Sequence, residues 1–525
     1  MRKLILLFII LGSFNYIYCQ WARTYGGDKN DYINSILQTS DGGFLIGGST
    51  YSFIKGDDSN SKIWLIKINE QGEVEWEKMY GRGSTQCVLE LEAKSYLIAG
   101  TCGPLSRAII INIDDEGRII WQKKYARYED SLYRSWSNSI LQLKDKSYLF
   151  LYSDHAGRVA PYYPCYVAKL SSLGGIEWTR YLWSSSYGYI NCCLTKDDGI
   201  IIAASSGDAF FPLLRIIRLT SQGKYVWHRA LYGKMGDERY YLQFKSLVSL
   251  NDGNYLASGW VQKSTEDKDK RQFLIKFNSD GQFIWQKIIN EISNAKIIAT
   301  IDGGFILCGN YLPIIGSTAI IKFNKDGEIE WQKAYGVDLK YPIIIQTREG
   351  DLVVGGETSS YGAGGYDILI LKLDSQGNLN KCSTIAKYDI NIMFSDLDII
   401  FEYPYVEDSY RTLISSYSDL TTTATQLTSY LICPCQPLIQ ASPSILYFGS
   451  NMAGMNTAAQ KFHIYNHGCG QLSWRLRSDV SWISFSPSSG FEEGIVEVSV
   501  NSKGLLPGKH EGKIYIESEN AFNSG

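Results

Sequence analysis

A repeated pattern of apolar runs, glycine turns and tryptophans fills residues 21–382. In each repeat, two apolar runs flank an Asp/Gly turn, and a loop then leads to an Ile/Leu-Lys-Ile/Leu strand, an Asx-x-x-Gly turn and a tryptophan. The tryptophans are Trp21, Trp76, Trp121, Trp178, Trp227, Trp285 and Trp331. Their spacing of 45 to 58 residues is typical of four-stranded propeller blades. The repeat therefore predicts an all-β chain whose first domain is a seven-bladed β-propeller, with the tryptophans packing its blades.

The two ends of the repeat region predict how the ring closes. The seventh repeat keeps three strands, but its last segment, residues 378–382, lacks the tryptophan. The segment 21–26 matches a final strand of the repeat, although no repeat precedes it. We therefore expect the N-terminal strand to complete the seventh blade, so that residues 20–382 form one closed ring.

The acidic turns of the repeat are interpreted as structural. In Asn69-Glu70-Gln71-Gly72 the first side chain can bond to the turn backbone, and the glycine can adopt a positive φ at low steric cost. A calcium loop needs a longer run of alternating oxygen ligands, which no turn provides. The sequence predicts no metal site.

Composition and the N-terminus indicate an exported globular protein. The chain is 45% hydrophobic, and its net charge of −3 argues against nucleic acid or anionic membrane surfaces as partners. Arg2 and Lys3 precede an apolar run at 4–11, the plan of a signal peptide, so we expect residues 1–19 to be removed. Lipidation of Cys19 is the less favoured alternative because Tyr18 is bulky. No later run is long enough for a transmembrane helix, and we predict a secreted or cell-surface monomer.

The cysteines suggest one disulfide. Cys87, Cys102, Cys165 and Cys308 stand singly in predicted strands and are interpreted as buried thiols. Cys382 ends the last repeat and is followed about 50 residues later by Cys433 and Cys435. We predict a disulfide between Cys382 and Cys433, with Cys435 as the alternative partner.

Long connections occur on one face only, which we call the loop face. It carries the connections from each second strand to the third, and from each fourth strand to the next repeat, and function is commonly carried on such loops. Planar rings there suit a sugar, a peptide or a protein anchor, although they could instead pack the loops together. The candidate ligand-binding residues are Tyr133, Trp136, Tyr162, Tyr163, Trp183 and Tyr187.

Catalytic motifs are missing from the sequence. The five histidines show no zinc-ligand spacing, and there is neither a nucleophile elbow nor a phosphate-binding loop. No cofactor is predicted. A glycosidase needs only two suitably placed carboxylates, and the loop-face candidates are Asp130, Asp154, Asp208 and Asp237. An extracellular polysaccharide hydrolase or lyase is therefore the alternative to a non-enzymatic binding protein.

Two parts of the chain resemble known families. The repeat, for example residues 41–48 and 64–76, resembles secreted bacterial propellers related to the quinoprotein-like superfamily, which implies a seven-bladed ring. The quinone- and metal-binding residues of quinoprotein dehydrogenases have no counterpart in this sequence, so the resemblance implies no cofactor. Residues 472–490 and 504–516 resemble a BACON-type immunoglobulin-like domain, a module frequent in Bacteroidota surface proteins and often linked with carbohydrate-active partners. This resemblance implies a β-sandwich over 439–525 that lacks the family's usual last strand, after a spacer at 383–438.

The sequence as a whole favours a binding or scaffold protein. Its loop face is expected to bind a polysaccharide, a glycoprotein or a surface protein, and no nucleic acid.

Overall fold

The computed structural model describes residues 3–9 and most of the chain from residue 20 onwards. The described ranges are 3–9, 20–54, 60–104, 106–126, 134–155, 163–185, 190–206, 213–235, 238–263, 270–379, 382, 384–392, 394–395, 398–402, 414–417, 422–424, 428–433, 439–450, 458–466, 472–506, 508–518 and 521. Nearly all of this is β-structure. Within these ranges the one helical element is a single 3-10 turn, Glu92–Lys94.

The described strands between residues 21 and 373 form antiparallel four-stranded meanders, which we call units and number in chain order. The first strands of the chain are β1 (Lys3–Ile9) and β2 (Trp21–Gly26). Unit 1 comprises β3 (Asp31–Gln38), β4 (Phe44–Thr50), β5 (Lys62–Ile68) and the first part of β6 (Val74–Leu91); unit 2 comprises the second part of β6, β7 (Ser95–Cys102), β8 (Arg107–Ile113) and β9 (Ile119–Ala126); and unit 3 comprises β10 (Arg134–Gln142), β11 (Tyr148–His155), β12 (Tyr163–Leu170) and β13 (Ile176–Ser185).

The later units repeat this order. Unit 4 comprises β14 (Ile190–Leu194), β15 (Ile200–Ser206), β16 (Leu213–Leu219) and β17 (Tyr225–Met235); unit 5 comprises β18 (Glu238–Ser249), β19 (Tyr255–Gln262), β20 (Arg271–Phe277) and β21 (Phe283–Ile289); unit 6 comprises β22 (Ile292–Ala299), β23 (Phe305–Tyr311), β24 (Thr318–Phe323) and β25 (Ile329–Tyr335); and unit 7 comprises β26 (Lys340–Gln346), β27 (Leu352–Thr358), β28 (Asp367–Leu373) and β2.

The core lies between neighbouring units. The third strand of each unit is apolar on both faces because each face packs against a different neighbour. Leu45 and Ile63 of unit 1, for example, share a buried cluster with Ile98 and Ile109 of unit 2. These strands therefore lack the alternation of apolar and polar side chains that is typical of a sheet with one exposed face.

The lysine that interrupts most of the third strands is buried and paired. Lys67 is 2% exposed, and its amine lies 3.0 Å from Asp41 in the first turn of its unit and 2.8 Å from Glu75 in the fourth strand. Lys322 makes the same two contacts with Asp302 and Glu330, both at 2.8 Å. These ion pairs join the short turns at the face opposite the loop face, which confirms the structural interpretation of the acidic turns.

Each repeat tryptophan covers the turn glycine of the following unit. A Cβ at Gly377 (φ +68°) would lie 2.8 Å from the Trp331 ring, and one at Gly327 would meet Trp285 at the same distance. The positive φ predicted for these glycines is confirmed, and so is the Asx bond, since Asn69 Oδ1 accepts from the backbone N–H of Glu73 at 2.8 Å. The tryptophans thus link units in series.

The N-terminal strand closes the series. Strand β2 pairs antiparallel with β28, with Ala22 opposite Leu371. Trp21 is fully buried, lies against Gly72 of unit 1, and donates from Nε1 to the Glu70 carbonyl at 3.0 Å. It therefore makes the contact with unit 1 that Trp331 makes with unit 7, as the sequence predicts for a closing strand.

The segment after unit 7 adds short strands to the outer edges of the units. These strands are β29 (Lys387–Asp389), β30 (Phe394–Ser395), β31 (Asp398–Glu402), β32 (Ile414–Tyr417), β33 (Thr422–Ala424) and β34 (Thr428–Cys433). In that order they pair with β25, β21, β17, β9, β6 and β2, the outer strands of units 6, 5, 4, 2, 1 and 7. We call this segment the belt, because it protects edges that would otherwise be unpaired.

Two further sheets enclose a separate core at the C-terminal end. Their strands are β35 (Ile439–Ser442), β36 (Ile445–Ser450), β37 (Gln460–Asn466), β38 (Ser473–Ser478), β39 (Ile483–Ser486), β40 (Ser489–Phe491), β41 (Gly494–Val500) and β42 (Lys509–Glu517). The core includes buried Trp474, with partly buried Trp482 packed against it. Residues 3–9, predicted as part of a leader, lie here as β1 between β36 and β42. Among the described residues no helix has the length and apolarity to cross a membrane.

Candidate functional site

The described strands bring three of the predicted aromatic residues to one end of unit 3. Trp136 stands opposite Ser153, Trp183 opposite Cys165, and Tyr163 opposite Ser185, all at the loop-face end of the sheet. Tyr133, Tyr162 and Tyr187 lie outside the described residues. Of the candidate carboxylates, Asp154 is placed at the same end of unit 3, opposite Ser135, and Asp130, Asp208 and Asp237 lie outside the described residues.

A second cluster on the loop face lies where unit 7 meets unit 1. We call it the seam and define it as residues 26–32, 50–53, 357 and 361–367. The backbone N–H of Asp31 donates to the Tyr366 carbonyl at 2.6 Å, and that of Tyr366 donates to Asn30 Oδ1 at 3.0 Å. Because these contacts join residues 335 and 336 positions apart, the seam exists only in the closed ring.

Asp31 is a buried carboxylate in the seam. Its side chain has no exposed surface, and Oδ2 accepts from the backbone N–H of Gly27 at 2.8 Å and from the Ser52 hydroxyl at 2.9 Å. Burial raises the pKa of Asp31, although these hydrogen bonds and one with Thr50 oppose the rise. Oδ1 is buried and has no partner at hydrogen-bond geometry.

Asp367 faces Asp31 across a glycine. It is 1% exposed, and Oδ2 accepts from the N–H groups of Ala363 at 2.9 Å and Gly364 at 3.3 Å. A Cβ at Gly26 would lie 1.5 Å from Asp367 Oδ1 and 3.0 Å from Asp31 Oδ2, so only glycine fits between the two carboxylates. Burial raises the pKa of Asp367 to about 6, and the charge of Asp31 adds to the rise.

Glu357 and three tyrosines complete the seam. Glu357 is 5% exposed, and burial raises its pKa to about 7 despite the opposing charge of Lys340. Burial and then Glu357 raise the pKa of Tyr32, whose ring meets that of Tyr51 edge to face at 6.0 Å. The Lys340 amine lies 4.2 Å from the centre of the Tyr366 ring and donates to its hydroxyl.

The seam places hydrogen-bond donors and acceptors beside the faces of aromatic rings. A carboxyl group that is partly protonated near neutral pH can accept and donate, and tyrosine rings provide flat apolar surface. Sequence reasoning missed the seam, because its residues come from both ends of the repeat region. The glycine-rich run at 361–366 was a usable signal, since glycines permit the close approach that Asp367 requires.

The acidic residues at the opposite face do not form a comparable site. Asp114, Asp115 and Glu116 are the one group of three potential metal ligands among the described residues. Arg118 pairs with Asp114 at 2.6 Å and also with Glu116, so its guanidinium offsets part of the negative charge of this turn. We assign it no ligand.

The cysteines follow the sequence interpretation where they are described. Cys102, Cys165 and Cys308 are buried thiols, Cys87 is a half-buried one, and burial raises the pKa of Cys308 to about 12. Cys382 is in a disulfide. The pairing of Cys382 with Cys433 stays a prediction.

The topology defines an all-β, propeller-like class of protein. No protein-family model and no curated protein matches the chain. Among solved structures, Drosophila Semaphorin 2a is similar at a TM-score of 0.42 and 8% identity, over 69% of this chain and 77% of that one. The polysaccharide lyase Uly1 is similar at a TM-score of 0.31 and 9% identity, over 67% of this chain and 99% of that one. The α-L-arabinofuranosidase Arb93A from Fusarium graminearum is similar at a TM-score of 0.34 and 12% identity, over 62% of this chain and 96% of that one.

Proposed function

We propose that residues 20–382 form a seven-bladed β-propeller of the quinoprotein-like type and that residues 439–525 form a BACON-like, immunoglobulin-like sandwich, with residues 383–438 as the spacer. Three features support the ring: the units repeat in register, the tryptophans link them in series, and β2 joins the ends. The two C-terminal sheets around one core support the sandwich.

We propose further that the chain is exported by residues 1–19 and acts as a secreted or cell-surface protein that binds a glycan through its loop face. The observation that carries this proposal is the seam, where Asp31, Asp367 and Glu357 lie beside tyrosine rings with no described basic residue neutralising the two aspartates. Of the three carboxylates Glu357 is the most exposed, at 5%, and it can accept from a sugar hydroxyl while the sugar ring stacks on a tyrosine face. Trp136, Tyr163 and Trp183 extend the same face to unit 3.

Binding to an array of polysaccharides and glycoproteins tests this function. The purified chain should bind one glycan class saturably, and Glu357→Gln and Tyr366→Ala should each weaken that binding about tenfold, as should Trp136→Ala if unit 3 contributes. The matched control is Asp326→Asn, an exposed carboxylate on the opposite face, which should bind as the unaltered chain does. Equal losses in Asp326→Asn and Glu357→Gln would refute the face assignment.

A polysaccharide hydrolase or lyase is the second candidate, favoured by one observation. The pKa values of Asp367 and Glu357, about 6 and 7, leave both partly protonated at neutral pH, as a general acid requires. New reducing ends or unsaturated sugars from the bound glycan, abolished by Asp367→Asn with binding retained, would establish the enzyme. Glycan binding without either product would refute the enzyme and support a non-enzymatic binding protein.

We also propose the disulfide Cys382–Cys433. Cys382 packs against the buried cluster that contains Ala22, and the backbone of Cys433 pairs with Ala22 in the sheet. Such a bridge would fasten the belt to the end of unit 7. Peptide mapping without reduction should recover Cys382 linked to Cys433, and a linked peptide with Cys435 instead would refute the pairing.

A further inference from the structure

Strand β1 fills an inner position in one of the two C-terminal sheets. The order of that sheet is β36, β1, β42, β38 and β40, so β1 separates β36 from β42. It runs antiparallel to β36, with Leu7 opposite Leu446, and parallel to β42, with Leu7 opposite Gly512. Both edges of β1 are therefore paired. We call the space that β1 fills between β36 and β42 the strand slot.

Strand β36 depends on the occupant of the strand slot. Among the described residues, β1 is the one strand that pairs with β36. Yet β36 supplies Leu446 and Phe448, 3% and 1% exposed, to the core cluster that also contains Ile514 and Ile516 of β42. Since neighbouring strands lie about 4.8 Å apart, a gap of roughly 10 Å would separate β36 from β42 without β1. Unpaired backbone groups beside an apolar core are costly, so an empty slot favours a new occupant.

Export would empty the strand slot. The proposed leader, residues 1–19, contains all of β1, and its removal leaves a chain that starts at Gln20. The unpaired edge of one strand is already a template for another chain. Here two such edges face each other across the width of a single strand, so an entering segment would pair on both sides.

The segment seated in the slot shows which chemistry the slot accepts. Residues 4–9 are Leu-Ile-Leu-Leu-Phe-Ile, without a charge or a proline. Positions 5 and 7 stand opposite the core residues Phe448 and Leu446, whereas position 6 stands opposite Tyr447, which is 57% exposed. An occupant therefore needs apolar residues at least at alternate positions. Proline is excluded, because a strand that pairs on both edges needs its N–H groups.

We infer that the strand slot of the processed chain binds an extended apolar segment of another protein by strand addition. The segment lies antiparallel to β36 and parallel to β42, spans about the seven residues of β1, and contains no proline. Before processing, β1 blocks the slot. This inference concerns a different part of the molecule from the glycan site, and it rests on the removal of residues 1–19 that the proposed function includes.

A peptide that copies β1 tests the slot. The labelled probe consists of residues 1–9 followed by two lysines for solubility, and its fluorescence anisotropy is measured with the chain from Gln20 and with the unprocessed chain. The chain from Gln20 should bind the probe saturably, and the unprocessed chain should bind it at least about tenfold more weakly. A Leu6→Pro probe is the matched control and should lose a similar factor. Binding to neither chain, equal binding to both, or equal binding of the two probes would overturn the inference.

A cross-link tests the register. Residues opposite each other on antiparallel strands have Cα atoms about 4.5–5.5 Å apart, within the range that a disulfide spans. A Leu6→Cys probe should therefore form a disulfide with Tyr447→Cys under oxidising conditions. Ile495→Cys is the matched control, because position 495 has a similar exposure of 55% but lies in the other sheet. Equal cross-linking of the two variants would overturn the pairing.

Folding is separated from binding by limited proteolysis. If the C-terminal sheets of the chain from Gln20 are cleaved readily without β1, the probe added during refolding should protect residues 439–518, and the Leu6→Pro probe should not. Cleavage that is the same with both probes would overturn the inference.

Two measurements identify other occupants. N-terminal sequencing of the exported chain should begin at Gln20, and an exported chain that keeps residues 3–9 would have a filled slot and overturn the inference. Sedimentation of a dimer that fails to bind the probe would assign the slot to a second copy and overturn it as well. Glycan binding is scored separately on the array, so neither result decides the proposed glycan function.

Discussion

At the scale of single residues, the chain buries charge in two opposite ways. At the turn face each buried lysine of a third strand meets carboxylates, so its charge is compensated and the turns are held to the sheet. At the seam, Asp31, Asp367 and Glu357 are buried with little compensation, and their pKa values rise. The first arrangement stabilises the fold, whereas the second leaves carboxyl groups with raised pKa values buried at the loop face.

The compensated arrangement predicts a stability loss. Lys322→Met should lower the free energy of unfolding by about 1.5–3 kcal/mol, because it leaves Asp302 and Glu330 without their shared partner. Urea denaturation measures the change. Lys325→Met, an exposed lysine of the neighbouring turn, should change stability by less than about 0.5 kcal/mol. Equal effects of the two substitutions would contradict the role given to the pair.

The uncompensated arrangement predicts a pH dependence. The pKa of Glu357 rises on folding from 4.5 to about 7, so its stabilising protonation is complete below about pH 4.5 and is lost as the pH rises through 7. Glu357→Gln should therefore exceed the unaltered chain in stability by up to about 3 kcal/mol at pH 8, and this advantage should vanish near pH 4. Urea denaturation at both pH values measures it, and an advantage that is the same at both would contradict the prediction.

At the scale of elements, local chemistry fixes the turns and the tryptophan contacts. The Asx-x-x-Gly turns and the packing role of the tryptophans could be predicted from the sequence because both features recur from repeat to repeat. The reason for the lysine in the third strand could not, since its partners Asp41 and Glu75 lie 26 and 8 residues away. The strand pairings of the belt could not be predicted from the sequence either, because its short segments contain no repeated pattern.

Alanine substitutions at two glycines distinguish the stability cost of steric crowding from that of backbone strain. Gly377 and Gly350 both have a positive φ, but only at Gly377 would a Cβ lie against a tryptophan, 2.8 Å from Trp331. Gly350→Ala should cost about 1–2 kcal/mol from its φ alone, and Gly377→Ala should cost about 1–3 kcal/mol more because the ring must shift. Thermal unfolding of both variants measures the difference, and similar midpoints would refute the tryptophan contact.

At the scale of the whole molecule, closure and the belt organise the chain. Strand β2 joins unit 7 to unit 1, and belt strands then cover the outer edges of six of the units. The sequence predicted closure from a strand without a repeat at one end and a repeat without its tryptophan at the other. It did not predict the seam, since the carboxylates of Asp31 and Asp367 become neighbours only when the ends meet.

The closing contact predicts a difference between two equivalent tryptophans. Trp21→Ala should lower the free energy of unfolding by about 3–5 kcal/mol and make the seam loop at 361–367 sensitive to protease, because the contact joins the ends of the ring. Trp285→Ala removes a half-buried ring from units already adjacent in the chain, and should cost less and leave that loop protected. Protease sensitivity at 361–367 in both variants would contradict the closure role.

Closure also orders the events of folding. Trp21 is synthesised before units 1 to 7, yet its partners in β28 are made more than 300 residues later, so the inner units can form while the chain is still growing and unit 7 cannot. Loop closure over such a distance is slow, and until it occurs the edges of β3 and β28 are open to other chains. The seam, and any ligand it holds, would therefore be among the last parts of the molecule to appear.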